Sequence, residues 1–218
     1  YDYMENTKLG NYFKSSHYAD AQIGLLIEEL KKENMLDNTV IIIYGDHDAR
    51  IEKSEWNRFY NYDYKTSSIK SSDDESYVDI DYYFYEINKK VPFIIWSNDE
   101  KFKTTLSKEI KEVGGMIDVG PTIMNLLGIH NKYFLGNDLL NKENNIVVFP
   151  NGNFVTDKVY YSELKNEYKL LKDVPIEENY IENCKTYTEK IIDVSNDIIV
   201  YNYFRKELSE VRFEKEWE

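Results

Sequence analysis

Cysteine is nearly absent from this sequence: Cys184 stands alone among 218 residues. One thiol excludes an intramolecular disulfide framework and a cysteine-rich zinc site. It fits either a cytosolic protein or an exported bacterial domain that avoids thiols. Long apolar runs are missing too. No stretch approaches the roughly 18 apolar residues of a membrane-spanning helix, and no signal peptide opens the chain. Basic residues are in the minority, 27 Lys and Arg against 40 Asp and Glu, for a formal net charge of −13. That balance argues against nucleic acid as a partner, because phosphate backbones are held by clustered Lys and Arg. A phosphate-bearing substrate stays open where a bound cation supplies local positive charge.

What the chain has instead is apolar and aromatic surface. Apolar residues make up 42%, enough for a sizeable core, and 20 residues are tyrosine, many of them in 60–85. The plain reading of that cluster is a loop packed by amphipathic rings. The opening "YDYMENTKLG" has no initiator Met and leads almost directly into a helix, which predicts a fragment or processed piece of a longer protein.

Along the chain, Asn11–Asn34 carries Ala19, Ile23, Leu26, Ile27 and Leu30 at three- and four-residue spacing, the signature of an amphipathic helix. Thr39–Tyr44 is a short apolar run bounded by turn signals, the pattern of a fully buried strand. Ile51–Lys90 is too long for an ordinary connection and is expected to be an ordered functional loop with some helix, or partly mobile. "KKVPFIIWS" reads as a second buried strand with Pro92 at its start, and Lys101–Val113 as a helix. "GGMIDVGPTIMNLLGI" carries Asp118 as N-cap, Pro121 in the first turn and Gly128 as a stop. This alternation predicts an α/β architecture with parallel pairing. From Asn145 onward, short β-rich runs broken by Pro150-Asn151-Gly152 and Thr156-Asp157 predict antiparallel hairpins. Thr186–Leu208 then gives a closing helix. The expected division is 1–144 for an α/β part and 145–218 for a small antiparallel β region plus the closing helix.

The chemistry concentrates in Val40–Arg50, "VIIIYGDHDAR". A strand runs into Gly45 and then into Asp46, His47 and Asp48. Ligands of open α/β sheets bind beyond the carboxyl ends of strands, and a glycine lets the chain turn there without a Cβ penalty. Carboxylate plus imidazole suits Mn²⁺, Zn²⁺ or Mg²⁺; an Asp-His hydrogen bond in a turn is the simpler alternative. Helical rise against strand rise places His17, and Asp20 on the same helix face, at the same end of the sheet as Asp46. His130 follows the stop of its helix, where a solvated or capping role is expected.

Four blocks in order, "NYFKSSHYADAQIGLLIEELKKENMLDNTVIIIYGDHDAR", "VPFIIWS", "GGMIDVGPTIMNLLGI" and "VVFPNGNFVT", resemble the extracellular domain of lipoteichoic acid synthase-type enzymes. These belong to the sulfatase and alkaline phosphatase superfamily. The resemblance implies a sulfatase-like sheet flanked by helices, here a partial domain. It also implies a phosphoglycerol transferase that moves glycerol phosphate from phosphatidylglycerol to a cell-envelope polymer or glycolipid. Transfer would pass through a phosphorylated threonine with one divalent metal, Mn²⁺ foremost, Mg²⁺ or Zn²⁺ otherwise, at the extracellular face of a bacterial membrane.

Asp46 and His47 match two metal ligands of the family, and His17 matches a histidine that contacts the substrate phosphoryl group. Such a metal would lower the nucleophile's pKa and neutralise charge on the phosphoryl oxygens. The family's threonine nucleophile and glutamate ligand fall before residue 1, and Thr39, Thr122 and Thr156 have plain structural readings. The chain alone is therefore expected to be inactive. The Tyr-rich insertion departs from the synthase pattern and leaves the acceptor open. A phosphodiesterase of the same superfamily, or a binding module with a vestigial Asp46–His47 pair, remain alternatives. A sheet cut before its nucleophile-bearing strands predicts either self-association or an edge covered by residues 1–10 or the tyrosine-rich loop.

Overall fold

Thr7 starts the first helix, and an asparagine ends it. In the computed structural model, which describes residues 2–106 and 108–205, α1 spans Lys8–Lys32, and the Thr7 hydroxyl accepts from Gly10 N at 3.0 Å. Asn34 takes φ +56°, and Met35 N reaches back to Leu30 O at 2.8 Å, the reversal that satisfies the last carbonyls of a helix. β1 (Val40–Tyr44) follows. The segment after it holds α2 (Lys53–Asn61), a hairpin of β2 (Tyr62–Asp63) and β3 (Ser68–Ile69), and α3 (Tyr82–Ile87). β4 (Phe93–Ser97) and α4 (Glu100–Leu106) complete this part. The chain divides into two compact units, Tyr1–Lys108 and Glu109–Glu218.

In the first unit β1 and β4 pair antiparallel, in register from Val40 opposite Ser97 to Tyr44 opposite Phe93. This corrects the expected parallel pairing, and the reason lies in the connection. Residues 45–92 leave and return at one end of the ladder, where Gly45 N donates to Pro92 O at 3.1 Å. A parallel crossover needs a helix that carries the chain back along the whole strand. Here the hairpin and α3 fold the chain back to its starting point instead.

The expectation of full burial is corrected as well. Directly opposed residues share a face, so Ile41, Ile43, Ile94 and Trp96 form one apolar face, and Val40, Ile42, Tyr44, Ile95 and Phe93 the other. Both are apolar, yet Ile94 is 49% and Tyr44 51% exposed. Among the described residues neither strand has a second partner, so two strands offer two apolar faces with little to bury them. On α1, Ile23, Ile27 and Leu30 are half-buried while Leu25 and Leu26 are exposed.

The long segment contains helix, as the sequence predicts. Met4, Leu9 and Ile51 form a buried cluster against which Tyr3, Ala49, Trp56 and Phe59 pack. Residues 2–10 thus contribute to this cluster and do not supply a strand partner for β1 or β4. Asn61 is fully buried. Its amide donates to Val78 O at 2.8 Å and its carbonyl accepts from Val78 N at 2.7 Å, a side-chain substitute for a strand pair that pins the tyrosine-rich stretch.

In the second unit α5 spans Val119–Leu126 and stops as predicted at Gly128, whose φ of +70° favours glycine. Asp118 precedes α5 but makes no capping bond with its side chain. It accepts instead from Gly115 N at 2.9 Å, Asn137 N at 2.7 Å and Asn145 Nδ2 at 2.9 Å, tying the connections on both sides of α5 to one carboxylate. β5 (Ile146–Val148), β6 (Phe154–Thr156), β7 (Val159–Ser162) and β8 (Glu167–Leu170) form an antiparallel meander, in keeping with the expected hairpins. α6 (Tyr180–Val200) begins earlier than expected, and the expected end at Leu208 lies outside the described residues. Phe154, Val159 and Tyr161 are its buried centre, with Ile146, Ile176, Tyr180, Ile181 and Cys184 packed around them. Burial there pushes the Cys184 thiol above its ordinary pKa. α4 is shorter than the expected Lys101–Val113, and Thr104 donates to the carbonyls of Glu100 and Lys101, a competition that weakens helices.

Candidate functional site

Gly45 is where β1 gives way to the ionisable turn. A Cβ there would lie 2.7 Å from Val91 Cβ, so glycine is demanded by close approach of the chain entering β4. Positive φ, the other common reason for glycine, does not apply. The packing fixes Asp46 and His47 at the carboxyl end of β1. His47 Nε2 stands 3.8 Å from Asp46 Oδ1, with side chains 57% and 85% exposed respectively. His47 Nδ1 lies 2.6 Å from Asp48 O. A carbonyl only accepts, so Nδ1 donates in that contact, and Nε2 is the ring nitrogen turned towards the Asp46 carboxylate. In the neutral ring Nε2 offers a lone pair beside a carboxylate oxygen, two donor atoms that a cation can bridge.

That donor pair fits a divalent metal. Ligand atoms about 2.0–2.2 Å from one ion stand roughly 3 to 3.5 Å apart, and the observed gap closes with a small rotation of two exposed side chains. The Nδ1–carbonyl bond is the kind of second contact that orients a ligating imidazole. Among the described residues, no group of three or more His, Cys, Asp or Glu side chains could hold an ion by itself.

The rest of the turn is held from several sides. Asp48 Oδ2 accepts from Arg50 N at 2.9 Å, Lys8 Nζ donates to Arg50 O, and Tyr85 OH donates to Ile51 O at 3.0 Å. Lys89 follows α3 and bonds Glu86 Oε1 at 2.7 Å, with its ammonium 4.8 Å from the centre of the Tyr85 ring. Burial works against that ammonium, but Glu86, Tyr85 and Asp48 outweigh it, and its pKa lies above the usual lysine value. Sequence reasoning does not single out Lys8 or Lys89. Both lie far from the turn in sequence and are ordinary lysines in a helix and a loop.

The amino-terminal end of α1 lies against this side of the unit, with Lys8 N and Leu9 N each 2.8 Å from a Glu55 carboxylate oxygen. Phe13 packs its ring 5.5 Å from that of Phe59. His17 comes one helical turn after Phe13, so the two share a face. His17 is exposed and makes no hydrogen bond or ion pair among the described residues. Asp46 and His47 are thus brought together, while His17 is placed on the α1 face that meets α2, without contact to either. His130 is exposed after Gly128. The three threonines hold structural bonds: Thr39 Oγ1 to Met35 O, Thr122 Oγ1 to Asp118 O, and Thr156 Oγ1 accepting from Val159 N and Tyr180 OH.

With the geometry in place, comparison with known proteins adds a second line. A model of the sulfatase family matches residues 2–129. Lipoteichoic acid synthase 2 of Bacillus subtilis is 29% identical over 194 residues, covering 87% of this chain and 27% of the relative. Lipoteichoic acid synthase 1 of the same organism is 28% identical over 207 residues, 92% of this chain and 29% of the relative. Lipoteichoic acid synthase of Staphylococcus aureus (strain USA300) is 30% identical over 203 residues, 89% and 28% respectively. The chain therefore spans somewhat over a quarter of the length of these curated relatives.

Proposed function

This chain belongs to the sulfatase family and is homologous to lipoteichoic acid synthases over most of its length, and from that premise we propose that it supplies part of the metal site of a phosphoglycerol transferase. The donor would be a phosphatidylglycerol-type lipid, and the acceptor a polyglycerolphosphate chain or a glycolipid. The place of action would be the outer face of a bacterial cytoplasmic membrane. No described helix is long and apolar enough to cross a membrane. The observation that carries the reading is the Asp46–His47 pair, with Nε2 turned to the carboxylate at a strand end.

Asp46 and His47 would hold one divalent ion, Mn²⁺ foremost, with Mg²⁺ or Zn²⁺ as alternatives. When bound, that ion supplies charge neutralisation for the phosphoryl oxygens and lowers the pKa of the attacking group. The Asp48 carbonyl fixes the His47 tautomer, and Gly45 holds both ligands against the start of β4. His17, from α1, would donate a hydrogen bond to a phosphoryl oxygen as charge builds there. No threonine with a plain structural bond is assigned as nucleophile, so the chain by itself is proposed to be inactive.

The exposure of Asp46 and His47 favours a second reading, a binding module with a relic pair. Transfer of labelled glycerol phosphate from phosphatidylglycerol by the parent protein separates the two. Asp46→Ala and His47→Ala are expected to abolish transfer, and His17→Ala to slow it by about 10²–10³ with metal retained. Hydrolysis to free glycerol phosphate without transfer would instead identify a phosphodiesterase. Metal-independent turnover, or none in the wild type, would remove the proposal.

A further inference from the structure

Seven described non-glycine residues have positive φ: Asn6, Asn34, Arg50, Ser67, Asn144, Asn166 and Asn202. Six are asparagine or serine, small polar types that tolerate or locally stabilise the left-handed region. Arg50, at φ +50°, is the exception. A long side chain gains nothing from that conformation, and strained residues persist only where their surroundings over-determine them. Here the surroundings do so: the Asp48 carboxylate holds Arg50 N, Lys8 Nζ holds Arg50 O, and Tyr85 holds the next carbonyl.

What those contacts leave untouched is the guanidinium. Arg50 is exposed, and among the described residues its side chain makes no hydrogen bond or ion pair. This is unexpected in a chain with 40 acidic against 27 basic residues. Asp48, the carboxylate beside it, bonds the Arg50 backbone instead. The other two cations held at this turn are committed, Lys8 to Arg50 O and Lys89 to Glu86. The result is an uncommitted planar fork on a braced backbone, three residues beyond His47. Such a fork matches a phosphate group in a bidentate fashion that a lysine does not reproduce. Its positive charge would also offset Asp46 and Asp48, which otherwise repel an anionic substrate.

We propose that Arg50 is a phosphate-binding residue of this site, clamping the phosphoryl oxygens of a glycerol phosphate group beside Asp46 and His47. The proposal rests on the phosphotransfer reading above.

Glycine adopts φ +50° without a Cβ penalty, so Arg50→Gly removes the guanidinium while relieving the backbone. The test titrates glycerol phosphate into the metal-loaded parent protein by calorimetry, with metal content and melting temperature measured on the same samples. Arg50→Gly is expected to bind about ten- to a hundredfold more weakly than wild type, to keep its metal, and to melt no lower. Arg50→Lys is expected to recover only part of the affinity. In turnover, the loss should fall on KM more than on kcat. Unchanged affinity in Arg50→Gly, or a loss of metal and of melting temperature together, would overturn this inference and leave the proposed function standing. A wild type that neither holds metal nor binds glycerol phosphate would overturn the proposed function and this inference with it.

Discussion

Asp118→Ala is expected to be among the most damaging single substitutions in the second unit, although the residue has no part in the chemistry proposed. Its carboxylate is 1% exposed and serves three donors, with Oδ2 taking Gly115 N and Asn145 Nδ2 and Oδ1 taking Asn137 N. Asn145 Nδ2 also donates to Val113 O, and its carbonyl accepts from Asn137 Nδ2 at 2.9 Å. Removing the acceptor therefore disturbs a network rather than one bond. A hydrogen bond to a charged acceptor contributes about 1.5–3 kcal/mol, and a buried donor left unpaired costs about 1–3 kcal/mol.

Relief of the buried charge and entry of water offset part of this, which leaves an expected loss of about 3–5 kcal/mol. Against a typical stability of about 5–15 kcal/mol, that is enough to unfold a large fraction of the molecules on mild heating. Asp118→Asn sharpens the test. One amide oxygen can replace Oδ2, but the NH₂ then faces the Asn137 N–H, donor against donor, so about 2–3 kcal/mol should still be lost. Urea unfolding followed by circular dichroism gives the energies, and hydrogen exchange at Gly115 and Asn137 locates them. An Asp118→Asn protein within about 0.5 kcal/mol of wild type, with the Asn137 amide still protected, would refute the reasoning.

Three further substitutions or states follow from the same kind of accounting. Glu55→Gln should cost about 1 kcal/mol or more, because the ionised carboxylate that receives the first two N–H groups of α1 also complements the helix dipole; unchanged melting would contradict this. Gly45→Ala should destabilise by about 1–3 kcal/mol through overpacking against Val91 and, in the parent enzyme, weaken metal binding; an Ala variant of normal stability would show that Val91 simply gives way. The isolated chain should self-associate through β1 and β4, whose apolar faces and edges, unpaired among the described residues, are association-prone. Sedimentation that rises with concentration, and slow exchange at Ile94 only at high concentration, would agree. A monomer with Ile94 already protected when dilute would not.

Much of this structure was legible in the sequence, and the failures have physical causes. α1, β1, β4 and the meander after Asn145 announce themselves through periodicity, bounding turn signals and the Pro150–Gly152 turn, although the Thr7 cap that starts α1 three residues before the expected Asn11 was not read. Asp46–His47 was legible because a buried-strand pattern has no reason of its own to end in ionisable groups. Strand direction was not, because it depends on where residues 45–92 return, and that is set by contacts such as Gly45 with Pro92 that no local pattern records. Asp118 has the spacing of a helix cap, yet its three partners come from loops up to 27 residues away. Arg50 reads as one more surface arginine until its φ is known.

The central claim is that Asp46 and His47 hold a catalytic divalent ion, and metal content measures it most directly. Purified parent protein equilibrated with Mn²⁺ and desalted should retain one equivalent by mass spectrometry of the metal, with Asp46→Ala and His47→Ala retaining almost none and His17→Ala retaining it fully. A full equivalent in Asp46→Ala would contradict the account, because the ion would then sit at other residues.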